Sequence, residues 1–288
     1  MKKTIVNPRK AAIVGCGFVG SATAFALMQS HLFSELVLLD VNFDKADGEA
    51  KDIAHGIPFA GALKIYAGTY DDVADAAVVI VTAGANQKPN ETRLDLVHKN
   101  VAIFKSIIPE IAKRDFQGIL LIVSNPVDIL TYAALKLSGL PEHRVIGSGT
   151  VLDTARLKYQ LGQHLHVDSR SVHAFIIGEH GDSEIAAWSS SNVSGIPLND
   201  FCEMRGHFDH DSAMKEIAEK VKTSAYEIIA KKQATYYGIA MSVKRICEVI
   251  VRNERSILPV STMMHGEYGI EGIALSLSLI HISEPTRH

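Results

Sequence analysis

An apolar run, Lys10-Ala-Ala-Ile-Val14, leads straight into Gly15-Cys-Gly17-Phe-Val-Gly20, and the alanine-rich Ser21 to Gln29 reads as the helix that follows. Strand, GxGxxG and helix in that order leave few folds open, because each glycine meets a separate steric demand. Gly15 makes the tight turn, Gly17 lets the backbone approach a pyrophosphate, and Gly20 lets helix and strand pack closely. The free N–H groups at the helix start then face the anion. A second apolar run, Leu36-Val-Leu-Leu39, ends in Asp40, twenty residues after Gly20. A carboxylate at that spacing accepts hydrogen bonds from an adenosine ribose, and its charge disfavours a 2′-phosphate, so NAD is expected over NADP.

Further apolar runs extend the pattern. Leu63 to Ala67, Ala76 to Thr82 and Ile119 to Val123 read as strands, the last without polar alternation, and Phe43 to Ile57 is amphipathic with helical spacing. Continuous apolar strands alternating with helices predict a parallel sheet covered on both faces. A chain of 288 residues that is 47% hydrophobic can build such a core and has the length of roughly two domains. Its 29 basic and 32 acidic residues are scattered and leave a formal charge of -3, which argues against a nucleic-acid partner. Met1 to Lys10 has no apolar signal core, and no run approaches the ~20 apolar residues of a membrane span, so no membrane association and a cytoplasmic location are expected. Cys16, Cys202 and Cys247 lie far apart with no CxxC or Cys/His pairing, so neither a disulfide framework nor a zinc site is indicated.

Several stretches carry candidate chemistry. Ala83 to Arg93 is polar and turn-rich between a buried strand and the long helix that starts near Leu94; it reads either as a loop that closes over a ligand or as a solvated connection. Ser124-Asn125-Pro126 follows the next strand at the same sheet edge, and Asn125 either bonds a ligand or caps the helix beginning at Val127. Asp153 and Arg156 are three apart on a helix that opens after Gly147 and Gly149, and they share a face. A surface ion pair would look the same. Val172 to Ile177 reads as a short buried strand that delivers His180 into a turn between Gly178 and Gly181. Histidine exchanges protons near neutrality, although a turn histidine with one backbone hydrogen bond fits the same string.

Together GCGFVG, LLD, TAGANQKPNETRLDL, SNPVD, GSGTVLDTARL, IIGEHGDSE and ATYYGIA resemble the L-2-hydroxyacid dehydrogenases, and within them the bacterial L-lactate dehydrogenases, over about Pro8 to Leu275. The resemblance implies an α/β fold: a Rossmann doubly wound parallel sheet, then an α+β substrate domain. It makes His180 the acid/base, Asp153 its carboxylate partner, Arg156 the grip on the substrate carboxylate and Arg93 the lid arginine that polarises the carbonyl. Gln87 matches the position that reads the substrate side chain, Thr235 lines the substrate pocket, and Asn125 lies beside the nicotinamide. Gly15, Gly17, Phe18, Val19, Gly20, Asp40, Gly84, Ala85 and Asn125 are implied to hold NAD. The implied reaction interconverts pyruvate and L-lactate in a homotetramer without a metal. Fructose 1,6-bisphosphate is an implied effector, with His173 matching one of its ligands and Lys158 standing where relatives have arginine. Malate dehydrogenase, and a non-catalytic NAD-binding fragment, are the alternatives.

Two departures accompany the resemblance. Gln233 stands where the family usually has glycine. After Leu275 the family continues through strand and a long helix, whereas Leu277 to Arg287 here resembles the translation of a sequencing adapter, so a truncated family domain with a foreign tail is expected. The expected divisions are 1–148 for the NAD-binding domain, 149–276 for the substrate domain and 277–288 for the tail.

Overall fold

The computed structural model of the chain describes residues 4–85 and 92–277, with the side chain of Arg93 outside that description. Gln87 and the tail from residue 278 lie outside it as well. The first half alternates strand and helix: β1 (Asn7–Val14), α1 (Phe18–Met28), β2 (Glu35–Leu39), α2 (Phe43–Ala54), β3 (Lys64–Ala67), β4 (Ala76–Val81), α3 (Arg93–Ala112), β5 (Ile119–Ile122), α4 (Val127–Ser138) and β6 (Val145–Gly147). β4 and β5 are buried at every position, as apolar strands covered on both faces must be. The sheet runs β3-β2-β1-β4-β5-β6 with parallel neighbours throughout, as the apolar runs predicted. Its order reverses between β1 and β4, and the crevice beyond their carboxyl ends is where such sheets take ligands.

The second half contains α5 (Val151–Leu165), β7 (Val172–His173), β8 (Ile176–Ile177), β9 (Ile185–Ala186), β10 (Asn192–Val193), β11 (Ile196–Pro197), α6 (Leu198–Met204), α7 (His210–Lys232), α8 (Tyr237–Val251), β12 (Ser261–His265) and β13 (Glu271–Ser276). β12 joins β6 antiparallel through Ser261 and Gly147, and β13 pairs with β12, so this hairpin extends the parallel sheet. One face of the sheet packs on α1, α2 and α8, with Leu27, Ala50 and Ile246 among the buried contacts; the other packs on α3 and α4 through Phe104, Ile108 and Leu130. A third core joins α5, α6 and α7 to the short strands through Leu161, Val221 and Val172. All three cysteines are buried and unpaired.

Val172 to Ile177 is not the single strand its apolar pattern suggests. β7 pairs with β10 while β8 pairs with β9, in separate sheets. The break has a cause in α5 and the residue before it. Thr150 Oγ1 donates to the Ile176 carbonyl at 2.6 Å, and the Ile176 N–H donates to Thr154 Oγ1 at 2.9 Å. Two hydroxyls thus satisfy the backbone groups that a continuous ladder would have used.

Gln233 ends α7 in the left-handed conformation, φ 70°, and its N–H closes on the Ile229 carbonyl at 2.7 Å. That is the position where glycine carries no Cβ penalty. Replacing Gln233 by glycine should stabilise the protein by about 0.5–1 kcal/mol, the relief of a left-handed side chain less the added unfolded-state entropy. A rise in Tm of about 1–3 °C in a thermal melt is the expected outcome.

Candidate functional site

The crevice between β1 and β4 is shaped by glycines with opposite surroundings. A Cβ on Gly15, whose φ is +104°, would sit 2.5 Å from the Ala83 nitrogen, and one on Gly20 would lie 1.9 Å from the Gly15 carbonyl oxygen. A Cβ on Gly17 would meet nothing within 4 Å. Gly17 caps α1 without any side-chain hydrogen bond, so the first N–H groups of the helix open onto that free space. Room for an anion and unsatisfied donors fit a dinucleotide pyrophosphate. At the end of β2, Asp40 Oδ2 accepts from the Cys16 N–H at 2.7 Å and Oδ1 from the Asn42 N–H at 3.0 Å. Each oxygen keeps a lone pair for a ribose hydroxyl. Phe18 is exposed at the mouth and stacks on Tyr236, ring centroids 5.3 Å apart.

Deeper along the same edge, Asn100 of α3 ties two loops together. Its Oδ1 accepts from the Ala85 N–H at 2.7 Å and its Nδ2 donates to the Asn125 carbonyl at 2.7 Å. Ser124 Oγ donates to the Ala83 carbonyl at 2.6 Å. Asn125 is exposed, and α4 is capped by Pro126 with no side-chain hydrogen bond, so Asn125 does not cap the helix. α3 opens on a reciprocal Thr92–Asp95 capping box, which fixes the backbone at Arg93. Gln87, expected to read the substrate side chain, lies outside the described residues.

Asp153 is the centre of the second cluster. Its carboxylate, 2% exposed, bonds His180 Nδ1 through Oδ2 at 2.5 Å and accepts from Arg156 Nη1 through Oδ1 at 2.9 Å. This is a buried pair and not the surface ion pair that its spacing also allowed. His180 is held by its backbone as well, the N–H donating to Asp128 Oδ2 at 2.9 Å, and Asp128 Oδ1 accepts from Ser261 Oγ at 2.5 Å. The turn is anchored on β13, where the Gly178 N–H donates to the Ser276 carbonyl at 2.7 Å and the Ser276 N–H returns to the Gly178 carbonyl at 2.9 Å. Burial alone would depress the imidazolium, but the hydrogen bond and charge of Asp153, with Asp128 and Glu184 adding to it, outweigh burial and raise the His180 pKa. Burial pushes the Asp128 carboxyl up despite its hydrogen bonds. Glu184, 5% exposed, is pushed to about 7 by burial and by the Asp153 charge.

The other expected positions are more dispersed. Thr235 is half-buried in the connection between α7 and α8. His173 is exposed on β7, and Lys158 is half-buried on α5, where burial lowers its pKa.

The model for the lactate/malate dehydrogenase NAD binding domain matches residues 9–147, and the model for the lactate/malate dehydrogenase alpha/beta C-terminal domain matches 150–287. The chain belongs to the lactate/malate dehydrogenase family. It is 55% identical to an L-lactate dehydrogenase of Acetivibrio thermocellus over 94% of this chain and 86% of that one. The likeness to an L-lactate dehydrogenase of Thermoanaerobacterium saccharolyticum is also 55%, over 94% and 87% of the two chains. A ligand-bound crystal structure of the minor L-lactate dehydrogenase from Enterococcus mundtii superposes with a TM-score of 0.91 at 48% identity, covering 94% of this chain and 87% of that one.

For this dehydrogenase the sequence motifs left three supporting residues unassigned. Asp128 reads only as an acid in the first turn of a helix, and Glu184 only as the end of the IIGEHGDSE motif. Asn100 has no local signal at all, since its partners lie 15 and 25 residues away. The contrast between the glycines gives a direct test. Gly20→Ala should cost about 3 kcal/mol through its backbone clash and lower the Tm visibly. Gly17→Ala should leave the melt within 1–2 °C, roughly, since nothing is displaced, yet raise the KM for NADH about tenfold or more by crowding the phosphate approach.

Proposed function

We propose that the chain catalyses the reversible reduction of pyruvate by NADH to L-lactate and NAD+, in the cytoplasm. The observation that carries this reading is the buried Asp153 carboxylate bonded on one side to His180 and on the other to Arg156. Bound NADH supplies the hydride to the keto carbon. Asp153 engages Nδ1, which leaves Nε2 of His180 to hand a proton to the carbonyl oxygen as that oxygen becomes a hydroxyl. The ring ends neutral, and lactate oxidation runs the same transfers backwards. Arg156 spends one N–H on Asp153 and keeps donors for the substrate carboxylate, which a planar guanidinium grips bidentately. Arg93 enters through the lid and stabilises the charge that develops on the carbonyl oxygen. Gln87, Asn125 and Thr235 complete the substrate pocket, and Gly15, Gly17, Phe18, Val19, Gly20, Asp40, Gly84 and Ala85 the cofactor site. L-Lactate dehydrogenases at 55% identity support the substrate assignment.

The division at 148/149, the separate status of 277–288, assembly as a homotetramer and response to fructose 1,6-bisphosphate at Lys158 and His173 belong to the same proposal. Family resemblance supports the division, the assembly and the effector, whereas the separate status of 277–288 rests on its own sequence alone, since the C-terminal family model runs on to residue 287.

Purified protein should oxidise NADH with pyruvate far faster than with oxaloacetate. A second carboxylate facing the neutral Gln87 in a closed site is uncompensated at a cost of about 3–5 kcal/mol, roughly a hundredfold to a few thousandfold in rate. Equal rates with the two acids would refute the assignment, and Gln87→Arg should move the ratio toward oxaloacetate.

The raised His180 pKa fixes the sign of the pH response. Reduction needs the imidazolium, so kcat/KM for pyruvate should fall as pH rises through a value above the ordinary 6.5, while lactate oxidation should rise over the same range. Asp153→Asn should cost about 10²–10⁴ in kcat and move both limbs to lower pH. Retention of the wild-type profile in steady-state assays of that variant would show that Asp153 does not act through His180.

A further inference from the structure

Glu184 is a buried acid of the site that neither takes part in the reaction as described nor, among the described residues, anchors the backbone of His180 as Asp128 does. It is 5% exposed, and its Oε1 is buried with no hydrogen-bond partner among the described residues. It stands two residues beyond Asp182 in the turn that carries His180, where its own N–H donates to the Gly181 carbonyl at 3.1 Å. One side-chain atom each of Glu184, Asp153 and His180 lies within 4.8 Å of the others. A carboxylate in such a place is expensive to keep charged, and a glutamine or a leucine would satisfy the packing at lower cost.

We propose that Glu184 is a positioning residue for the proton: its buried carboxylate, with Oε1 left without a hydrogen bond beside the Asp153–His180 pair, keeps His180 protonated and so biases the site toward keto-acid reduction. The inference rests on the dehydrogenase reading above. The groups facing Glu184 are Asp153 and Arg156 from α5, His180 from the same turn, and Lys222 from α7. Those facing His180 are Asp153, Glu184 and, from α4, Asp128. Asp153 resists ionisation of Glu184, whereas the imidazolium, Arg156 and Lys222 favour it. Glu184 and His180 therefore titrate as a linked pair, each charge stabilising the opposite charge on the other. With the glutamate at about 7, its negative charge arrives as pH rises through neutrality. That is the range in which His180 would otherwise lose its proton.

Glu184→Gln keeps the shape and removes the charge. The alkaline limb of kcat/KM for pyruvate should move down by about one pH unit, the low end for a charge 4–6 Å away, which is about a tenfold loss on the alkaline side. The ring nitrogens of His180, followed by ¹⁵N NMR, should titrate lower by the same amount, and Glu184→Asp should recover part of both shifts. In wild-type protein carrying ¹³C-carboxyl glutamate, one carboxyl should titrate near neutrality, a measurement that needs neither a variant nor turnover. An unchanged limb in an active Gln variant overturns the proposal, as does a wild type in which every glutamate titrates in the ordinary carboxylate range. A wild type that fails to turn over pyruvate overturns the dehydrogenase reading instead, and the carboxyl and imidazole titrations still decide the coupling.

Discussion

Burial of the Asp153 carboxylate is the constraint on which the rest of the site depends. Taking one carboxylate out of water costs several kcal/mol even after relaxation. Charge-assisted hydrogen bonds from Arg156 and His180 offset that cost here, together with the helix start, since Asp153 sits in the first turn of α5. None of this works unless α5 begins in the right place. Gly149, at φ +53°, sets that start, and a Cβ there would lie 2.4 Å from Ser276 Oγ and 2.6 Å from the Pro259 carbonyl. The helix is thus pressed against the β12–β13 region with no space for any other residue.

Much of the first half was legible because its rules are local. GxGxxG, the run ending in Asp40 and the uninterrupted apolar strands each express a steric or burial demand within a few residues. The sheet order follows once right-handed crossovers are granted. Element ends drifted by a few residues: α1 opens at Phe18 instead of Ser21, and α2 stops at Ala54 and not Ile57. Helix termini depend on caps that compete nearly equally over one turn.

The site was legible as a set of residue types and not as an arrangement. Spacing could not tell a buried Asp153–Arg156 pair from a surface one, because the difference lies in what covers it. It misread Val172 to Ile177 for a related reason: an apolar hexapeptide looks the same whether its hydrogen bonds go to another strand or to threonines 22 and 26 residues away. Asp128 and Ser261 are 133 residues apart, and Gly178 and Ser276 nearly a hundred. Contacts of that range carry no local period, so the supports of His180 were the least visible part of the molecule.

Those long-range contacts also determine how the proton site is held. His180 is fixed from three directions: its ring by α5, its backbone N–H by α4, and its turn by β13. Two of these anchors, Asp128 through Ser261 and Gly178 through Ser276, trace back to the hairpin that extends the NAD-binding sheet. The proposed proton donor is therefore referenced to the same sheet that carries the glycine turn and Asp40. In the proposed reaction, a hydride donor held beside β1 and His180 braced by β12 and β13 keep their relative positions because one continuous hydrogen-bonded ladder joins the strands that hold them. Within that frame, Asp153, protonated His180 and Arg156 together carry one net positive charge. In the reading proposed above the substrate carboxylate meets that charge, and an ionised Glu184 offsets part of it. Rigid spacing of the two donors and a positive setting for the carboxylate are what a reaction transferring a hydride and a proton to one small anion requires.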